Sequence, residues 1–451
     1  MKEKRSHFTG SIGFVLAAAG SAVGLGNLWR FPYLAAQHGG GIFIFIYIIM
    51  ALTFGFALLM TEIAIGRKTK QSAITAYGKL NKKFAPLGYL GLLIPAMILP
   101  YYCVIGGWVM KYTILFVSGK GVRAAGEDYF TGYISQEWTP LLFFLLFLFL
   151  TLLVILGGVQ KGIERMSKIL MPVLFVITII ICCYVVTLDG AVEGVKYYLL
   201  PDIKKCSLVT ICAALGQLFF SMSIAMGIMV SYGSYVKREI NLTKAVNQIE
   251  IFDTLIALMA GLMIIPAVYV FSGEEGLKSG GPGLMFMTLP RVFEQMPAGQ
   301  IIGALFFVLV LLAAVTSSIS ILEASVSMFM DKWHFSRKRA AVILVVFSIL
   351  LGVPSSLGNG AWSHITVLGM DFLTFFDFFT NSILMPLLAL GTCILIGWVT
   401  KTEVIEEEIT RNGETFFRRG LYRLMIKYLC PVLLVVILVC YTLAQFGVIN
   451  M

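Results

Sequence analysis

AAAGSAVGLGNLWRFPY, residues 17–33, lies inside the first long apolar stretch of the chain, yet it carries Gly20, Gly24, Gly26 and Pro32 together with Asn27 and Arg30. Backbone N–H and C=O groups cannot stay unpaired in hydrocarbon. A span with this many helix breakers is therefore tolerated only where protein or a polar cavity surrounds it. The stretch predicts an interior helix that unwinds near residues 22–24 and frees carbonyls able to coordinate a cation. Close packing between helices is the ordinary alternative use of such glycines.

The rest of the chain supplies the membrane context. Of its 451 residues, 59% are hydrophobic and only 13% are charged, far from the balance of a soluble domain. Uncharged runs of about 20 residues, enough to cross the hydrocarbon layer, recur along almost the whole sequence. Eleven spans are expected, centred near Val23, Leu52, Val104, Leu150, Ile179, Ile224, Leu258, Val310, Val345, Leu388 and Val436. The expected fold class is all-α integral membrane, in one polytopic domain. The first apolar run continues into a second after QHGGG (37–41), so no cleaved signal is read.

Net charge is +10, which in a soluble protein would raise nucleic acid as a partner; here the placement of the charge matters more, and no nucleic acid is expected. Most basic residues fall in residues 2–5, 67–83, 161–168, 237–244, 332–339 and 401–427, all on one side of an eleven-span chain. The positive-inside rule puts that side, and the N-terminus, in the cytoplasm of a plasma-membrane protein, with the C-terminus outside. The eight cysteines show no metal spacing, the four histidines are scattered, and no hydrolase elbow or phosphate loop is present, so no enzyme is expected.

Segment 6, ALGQLFFSMSIAMGIMVSYGSYV (214–236), repeats the pattern of segment 1, with Ser221, Ser223, Ala225 and Gly227 at mid-span. The two segments are five spans apart. An odd shift inverts direction, which predicts an inverted repeat of segments 1–5 (1–190) and 6–10 (205–400), with helices 1 and 6 discontinuous and helix 11 (420–448) added. Segment 8 carries AAVTSSIS (313–320), a hydroxyl cluster in an otherwise apolar span; such hydroxyls also bond the carbonyl one turn back. Glu62, Asp253 and Asp377 are ionisable residues at depth and hence candidates for function.

The ordered set AAAGSAVGLGNLWRFPY, GGGIFIFIY (39–47), TEIAIGR (61–67), PYYCVIGGW (100–108), GQLFFSMSIAMG (216–227) and TSSIS (316–320) resembles the neurotransmitter:sodium symporter family, in particular its bacterial amino-acid transporters. The resemblance covers nearly the whole chain. It implies alternating access driven by two Na⁺ ions. The first ion site resembles the carbonyl of Ala22 with the side chains of Asn27, Ser221 and Asp253; the second, the carbonyls of Gly20, Val23 and Ala313 with the hydroxyls of Thr316 and Ser317. All of these donors are oxygens, as a hard cation prefers.

The substrate site is similar to one in which an amino-acid carboxylate meets amides at Gly24, Leu25 and Gly26, the Tyr102 hydroxyl and the first Na⁺, while carbonyls near Ala22, Phe220 and Ser223 hold the ammonium. Ile98, Phe220, Met226, Ser318 and Ile321 would surround the side chain, with Ser221 beside them. That lining is mostly apolar and implies a hydrophobic L-amino acid. Arg30 and Asp377 resemble an outer ion pair, Arg5 and Asp331 an inner one with Tyr235 beside it. Gly162 and Pro172, in GIERMSKILMP (162–172), resemble a hinge in helix 5.

Animal relatives place chloride near the first ion site. Here Tyr47, Gln217 and Ser221 match that pattern, but Ala257 and Asp253 stand where it has a serine and an asparagine. A fixed carboxylate there predicts chloride-independent transport, with proton return as a second step. A substrate-gated channel or an amino-acid sensor would carry the same sites. An aspartyl protease using Asp253 and Asp377 has no supporting motif. The expected partners are a small amino acid and the lipid bilayer, and the sequence fixes no oligomeric state.

Overall fold

A computed structural model describes residues 7–277 and 281–445. Among them there are helices and two isolated bridges, but no strand. The labelled elements are α1 (Ser11–Ala22), α2 (Gly26–Gln37), α3 (Gly41–Thr69), α4 (Lys82–Val117), α5 (Trp138–Leu156), α6 (Val159–Val186), α7 (Leu208–Ser221), α8 (Ile228–Tyr235), α9 (Leu242–Gly273), α10 (Gly299–Trp333), α11 (Arg337–Leu357), α12 (Phe372–Val399) and α13 (Arg419–Gln445). Among the described residues, nine of these are long and apolar enough to cross a membrane as single helices. The other two expected spans are broken. α1 and α2 are bent by 49° across residues 23–25, and segment 6 is split into α7 and α8, neither long enough to cross alone.

Burial sorts the helices into an inner and an outer set. α4 and α10 are largely enclosed and pack against each other. α5, α6, α11 and α13 instead turn rows of large apolar side chains outward, among them Leu142, Phe149, Val176, Leu350, Val432 and Val439. A continuous apolar exterior of this kind is what lipid contact demands.

The break in segment 6 is the more distorted of the two. Ser223 (φ 52°), Ala225 (φ 58°) and Gly227 (φ 68°) are all left-handed. For the two non-glycine residues this conformation costs about 1–2 kcal/mol each, so the surroundings must hold it. They do so through specific bonds. Glu62 on α3 accepts the Ala225 N–H at 2.7 Å, the Ser223 hydroxyl donates to the Ser21 carbonyl at 2.9 Å, and the Ile224 N–H reaches back to the Phe219 carbonyl at 3.2 Å. Backbone groups freed by the break thus find partners inside the protein, as buried irregular backbone requires.

Candidate functional site

The two breaks face each other. Residues 22–28 and 221–228 are fully enclosed apart from a narrow cavity of about 20 Å³ of space open to a water's centre, bounded by Ser21, Ala22, Gly24, Leu25 and Gly26 on one side and by Phe220, Ser223 and Met226 on the other. Ile98 and Tyr102 of α4 and Ser317 and Ile321 of α10 complete its wall. The glycines permit the close approach: a Cβ on Gly26 would sit 2.6 Å from Phe220 Cδ1, and one on Gly24 would overlap the Ser317 hydroxyl and lie 3.0 Å from that of Tyr102. The Leu25 N–H donates to the Tyr102 oxygen at 3.3 Å, so a freed amide and a phenol already converge at one end.

Beside the cavity lies a buried polar cluster. Asn27 Nδ2 donates to Asp253 Oδ1 at 2.8 Å, to the Asp253 carbonyl at 3.2 Å and to Ser221 Oγ at 3.1 Å. Asn27 Oδ1 accepts the Gly24 N–H at 3.2 Å, tying the cluster to the break. The Ser221 hydroxyl lies 2.9 and 2.8 Å from the two Asp253 oxygens, and the Tyr47 hydroxyl reaches Ser221 at 3.1 Å and Asp253 Oδ2 at 3.5 Å. Gln217 Nε2 closes the ring on the Gly26 carbonyl at 2.8 Å. Asp253 is 0% exposed, and among the described residues no Lys, Arg or His forms an ion pair with it. A carboxylate without a protein cation in so dry a place is unfavourable unless a bound cation or a proton neutralises it. The oxygens of Asp253, Ser221 and Tyr47 suit a hard cation, while Asn27 turns its Nδ2 to this cluster and its Oδ1 to the Gly24 N–H.

A second oxygen cluster forms where α10 crosses the end of α1. Ser317 Oγ lies 3.4, 3.0 and 3.3 Å from the carbonyls of Gly20, Ser21 and Val23. The Thr316 hydroxyl is 3.0 Å from the Ala313 carbonyl, and its Cβ faces Gly20. The five residues expected for a second cation, Gly20, Val23, Ala313, Thr316 and Ser317, are therefore together.

Two expected lining residues are placed differently. Ser221 faces Asp253 rather than the cavity. Ser318 points to α5, where its hydroxyl meets that of Thr151 at 2.9 Å, and Ser317 takes the wall position instead. The reason is helical: neighbouring residues lie about 100° apart, so only one of the two can face α1.

At the outer end, the Arg30 guanidinium lies 5.7 Å from the centre of the Phe220 ring and within electrostatic reach of Tyr33, Tyr441, Asp377 and Tyr101. No direct ion pair joins Arg30 to Asp377, whose Oδ1 accepts the Asn381 amide at 2.6 Å. At the inner end, Arg5 lies outside the described residues. Asp331 Oδ2 accepts the Ser72 N–H at 2.7 Å, and Tyr235 donates to Glu323 Oε1 at 2.8 Å. Glu323 is fully buried and is held by both terminal nitrogens of Arg337 at 2.5 and 2.9 Å. Sequence reasoning missed this pair, although an acidic residue in the middle of ISILEASVSM (319–328) was a visible signal. Gly162 falls in a widened turn, Val159–Glu164, and Pro172 inside the regular helix that follows.

A multi-pass helical protein whose two broken helices present oxygen clusters around one shared cavity has the architecture of an ion-coupled transporter. The profile of the sodium:neurotransmitter symporter family matches residues 5–121 and 134–450. An uncharacterized sodium-dependent transporter of Haemophilus influenzae is 33% identical over 453 residues, covering 97% of this chain and 98% of its own. The uncharacterized sodium-dependent transporter YhdH of Bacillus subtilis is 35% identical over 446 residues, covering 97% of each. The crystal structure of MhsT in complex with L-phenylalanine superposes with a TM-score of 0.89 at 35% identity, covering 97% of this chain and 100% of that one. The chain belongs to the sodium:neurotransmitter symporter family and is a sodium-dependent membrane transporter with an MhsT-like fold.

Proposed function

We propose that this transporter carries a hydrophobic L-amino acid inward together with two Na⁺ ions, independently of chloride. The observation that supports the reading best is the fully buried Asp253 carboxylate, bonded to Asn27 and Ser221 beside the cavity and paired with no cationic side chain among the described residues. Its fixed charge fills the role that an added anion would otherwise take in balancing a cation. The mostly apolar wall formed by Ile98, Phe220, Met226 and Ile321, together with L-phenylalanine as the ligand in the MhsT complex, favours a large or aromatic side chain.

In this reading the chain does three things. The freed amides from Gly24 to Gly26 and the Tyr102 hydroxyl orient the carboxylate of the amino acid, and the carbonyls at the breaks take its ammonium. Ala22, Asn27, Ser221 and Asp253 hold one ion beside it, while Gly20, Val23, Ala313, Thr316 and Ser317 hold the other. Arg30 with Asp377 closes above, over Phe220. Arg5 with Asp331, and Tyr235 with Glu323 and Arg337, close below, and the Gly162–Pro172 region of α6 yields when the inner side opens. The repeats 1–190 and 205–400 are the moving frame, in a plasma membrane with the N-terminus cytoplasmic and the C-terminus outside.

The test is uptake of labelled L-phenylalanine into proteoliposomes at constant Na⁺, with chloride replaced by gluconate and with each common amino acid as competitor. Equal uptake in both anions, and competition confined to hydrophobic amino acids, is the expected result. Strict chloride dependence would remove the role assigned to Asp253, and competition by charged amino acids would remove the substrate class.

A further inference from the structure

The geometry points to Glu164 as a positioning residue: it latches the cytoplasmic end of α1 to the widened turn of α6 and so sets how tightly the second cation site holds Na⁺. This rests on the reading of that site given above. Glu164 closes the turn Val159–Glu164 immediately before the regular part of the helix, and its side chain is only 2% exposed. The carboxylate faces the start of α1. Oε2 accepts the Thr9 N–H at 2.9 Å, and the Thr9 hydroxyl donates to Oε1. Lys168, one turn on, pairs with Oε1 at 2.7 Å and reaches the Thr9 hydroxyl at 3.3 Å. The same turn sends Gln160 Nε2 to the His7 carbonyl at 2.8 Å. On the opposite flank, the Phe8 N–H bonds the Tyr235 carbonyl at 3.2 Å. Residues 7–9 are thus held between α6 and the end of α8.

The latch is connected to the ion site by a parallel helix pair in fixed register. At Gly13 the α1 backbone lies on the Glu164 side chain, where a Cβ would come 2.5 Å from Cδ and 2.9 Å from Cγ. At Gly20 it lies on Met171 of α6, with Sδ 3.2 Å from the Cβ position. Both steps, 13 to 20 and 164 to 171, are two turns long, about 10.5 Å at 1.5 Å per residue. The Gly20 carbonyl belongs to the second oxygen cluster. Freeing the lower end of α1 therefore tilts the segment that carries that carbonyl.

The latch is also built to release. Gly157, Gly158 (φ 74°) and Gly162 sit in and before the turn, so its backbone rearranges at low steric cost. Water at the membrane boundary can replace the polar bonds of Glu164, whereas a purely apolar contact would have no such substitute. Lys168, which pairs with Glu164, is 43% exposed.

The experiment uses the full chain and Na⁺ itself as the probe. Hydrogen exchange of residues 7–16 and 157–168 is followed in Na⁺ and in K⁺, and the Na⁺ dependence of L-phenylalanine uptake is measured in proteoliposomes. The wild type should show Na⁺-dependent protection of both segments. Glu164→Ala should lose it over 7–16 and need about five- to ten-fold more Na⁺ for half-maximal uptake, within the usual range of coupling between sites. Thr9→Val, which removes only the hydroxyl donor, should shift both readouts in the same direction and keeps the test alive if Glu164→Ala does not fold. The double variant should be no worse than Glu164→Ala. Variants with wild-type protection and wild-type Na⁺ dependence would overturn the latch alone, while a wild type that ignores Na⁺ would overturn the ion-site reading beneath it.

Discussion

Replacing Asp253 by Asn keeps the size of the side chain and a carbonyl acceptor for Ser221 and Asn27, but deletes the charge. Two opposite unit charges about 4 Å apart attract by roughly 4 kcal/mol at an effective dielectric of 20. Part of that is returned, because the variant no longer buries a bare carboxylate. A net loss of about 2–3 kcal/mol remains, or roughly 100-fold in half-saturating Na⁺. The same deletion has the opposite sign without Na⁺. Asp253 is fully buried with no cationic side chain paired to it among the described residues, so in K⁺ the variant should melt no lower than the wild type. In Na⁺ the wild type should gain about 2.7 kcal/mol from this site at a concentration 100 times its Kd, and the variant should keep only the gain supplied by the second site. Thermal unfolding of the purified protein in matched Na⁺ and K⁺ buffers, followed across a Na⁺ titration, reads both effects. Equal destabilisation in the two buffers, or an unchanged Na⁺ midpoint, would refute the claim that Asp253 is a cation ligand.

Other consequences can be checked with similar preparations. Gly26→Ala drives a Cβ to 2.6 Å from the Phe220 ring, so it should raise the KM for L-phenylalanine at least about ten-fold and cost roughly 1–3 kcal/mol of stability through overpacking. Ser317→Ala removes the hydroxyl that faces the Gly20, Ser21 and Val23 carbonyls and should raise half-saturating Na⁺ by about ten-fold, with a smaller effect on substrate KM at saturating Na⁺. Glu323→Ala removes the carboxylate that holds both Arg337 and the Tyr235 hydroxyl, so hydrogen exchange at residues 228–236 should rise, and about 3 kcal/mol of stability should be lost. Outside the spans, burial raises the Glu406 carboxyl but hydrogen bonds from Arg423 and Arg419 outweigh it, holding the group below its ordinary value. The stability it contributes is present above the unfolded value near ~4.3 and is lost as pH falls through the lower folded value. A melting curve taken between about pH 5 and pH 3 should therefore fall less steeply for Glu406→Gln.

The sequence was most informative where composition contradicted position. Glycines, Pro32, Asn27 and Arg30 inside an apolar stretch have few physical explanations, and the break at residues 23–25 is among them. Segment 6 was harder. Only Gly227 of its three left-handed residues is a glycine, and Ser223 and Ala225 adopt that conformation because Glu62 and Ser21 hold them there, which no local pattern announces. The wall position of Ser317 rather than Ser318 was likewise beyond reach, since it depends on the rotation of α10 against α1 and α5. Glu323 was visible as a charge in a span, but its partner Arg337 comes from the start of the next helix and reads as one more basic residue of a cytoplasmic loop. Glu164 and Thr9 are 155 residues apart, and only the fold brings them together.

The most direct measurement is concentrative uptake. Proteoliposomes containing the full chain, with equal labelled L-phenylalanine inside and outside, are given an inward Na⁺ gradient. Net accumulation that appears with the gradient, collapses when Na⁺ is equalised and is absent from Asp253→Asn at the same Na⁺ concentration is the predicted result. Equilibration without accumulation, or accumulation indifferent to Na⁺, would contradict the account.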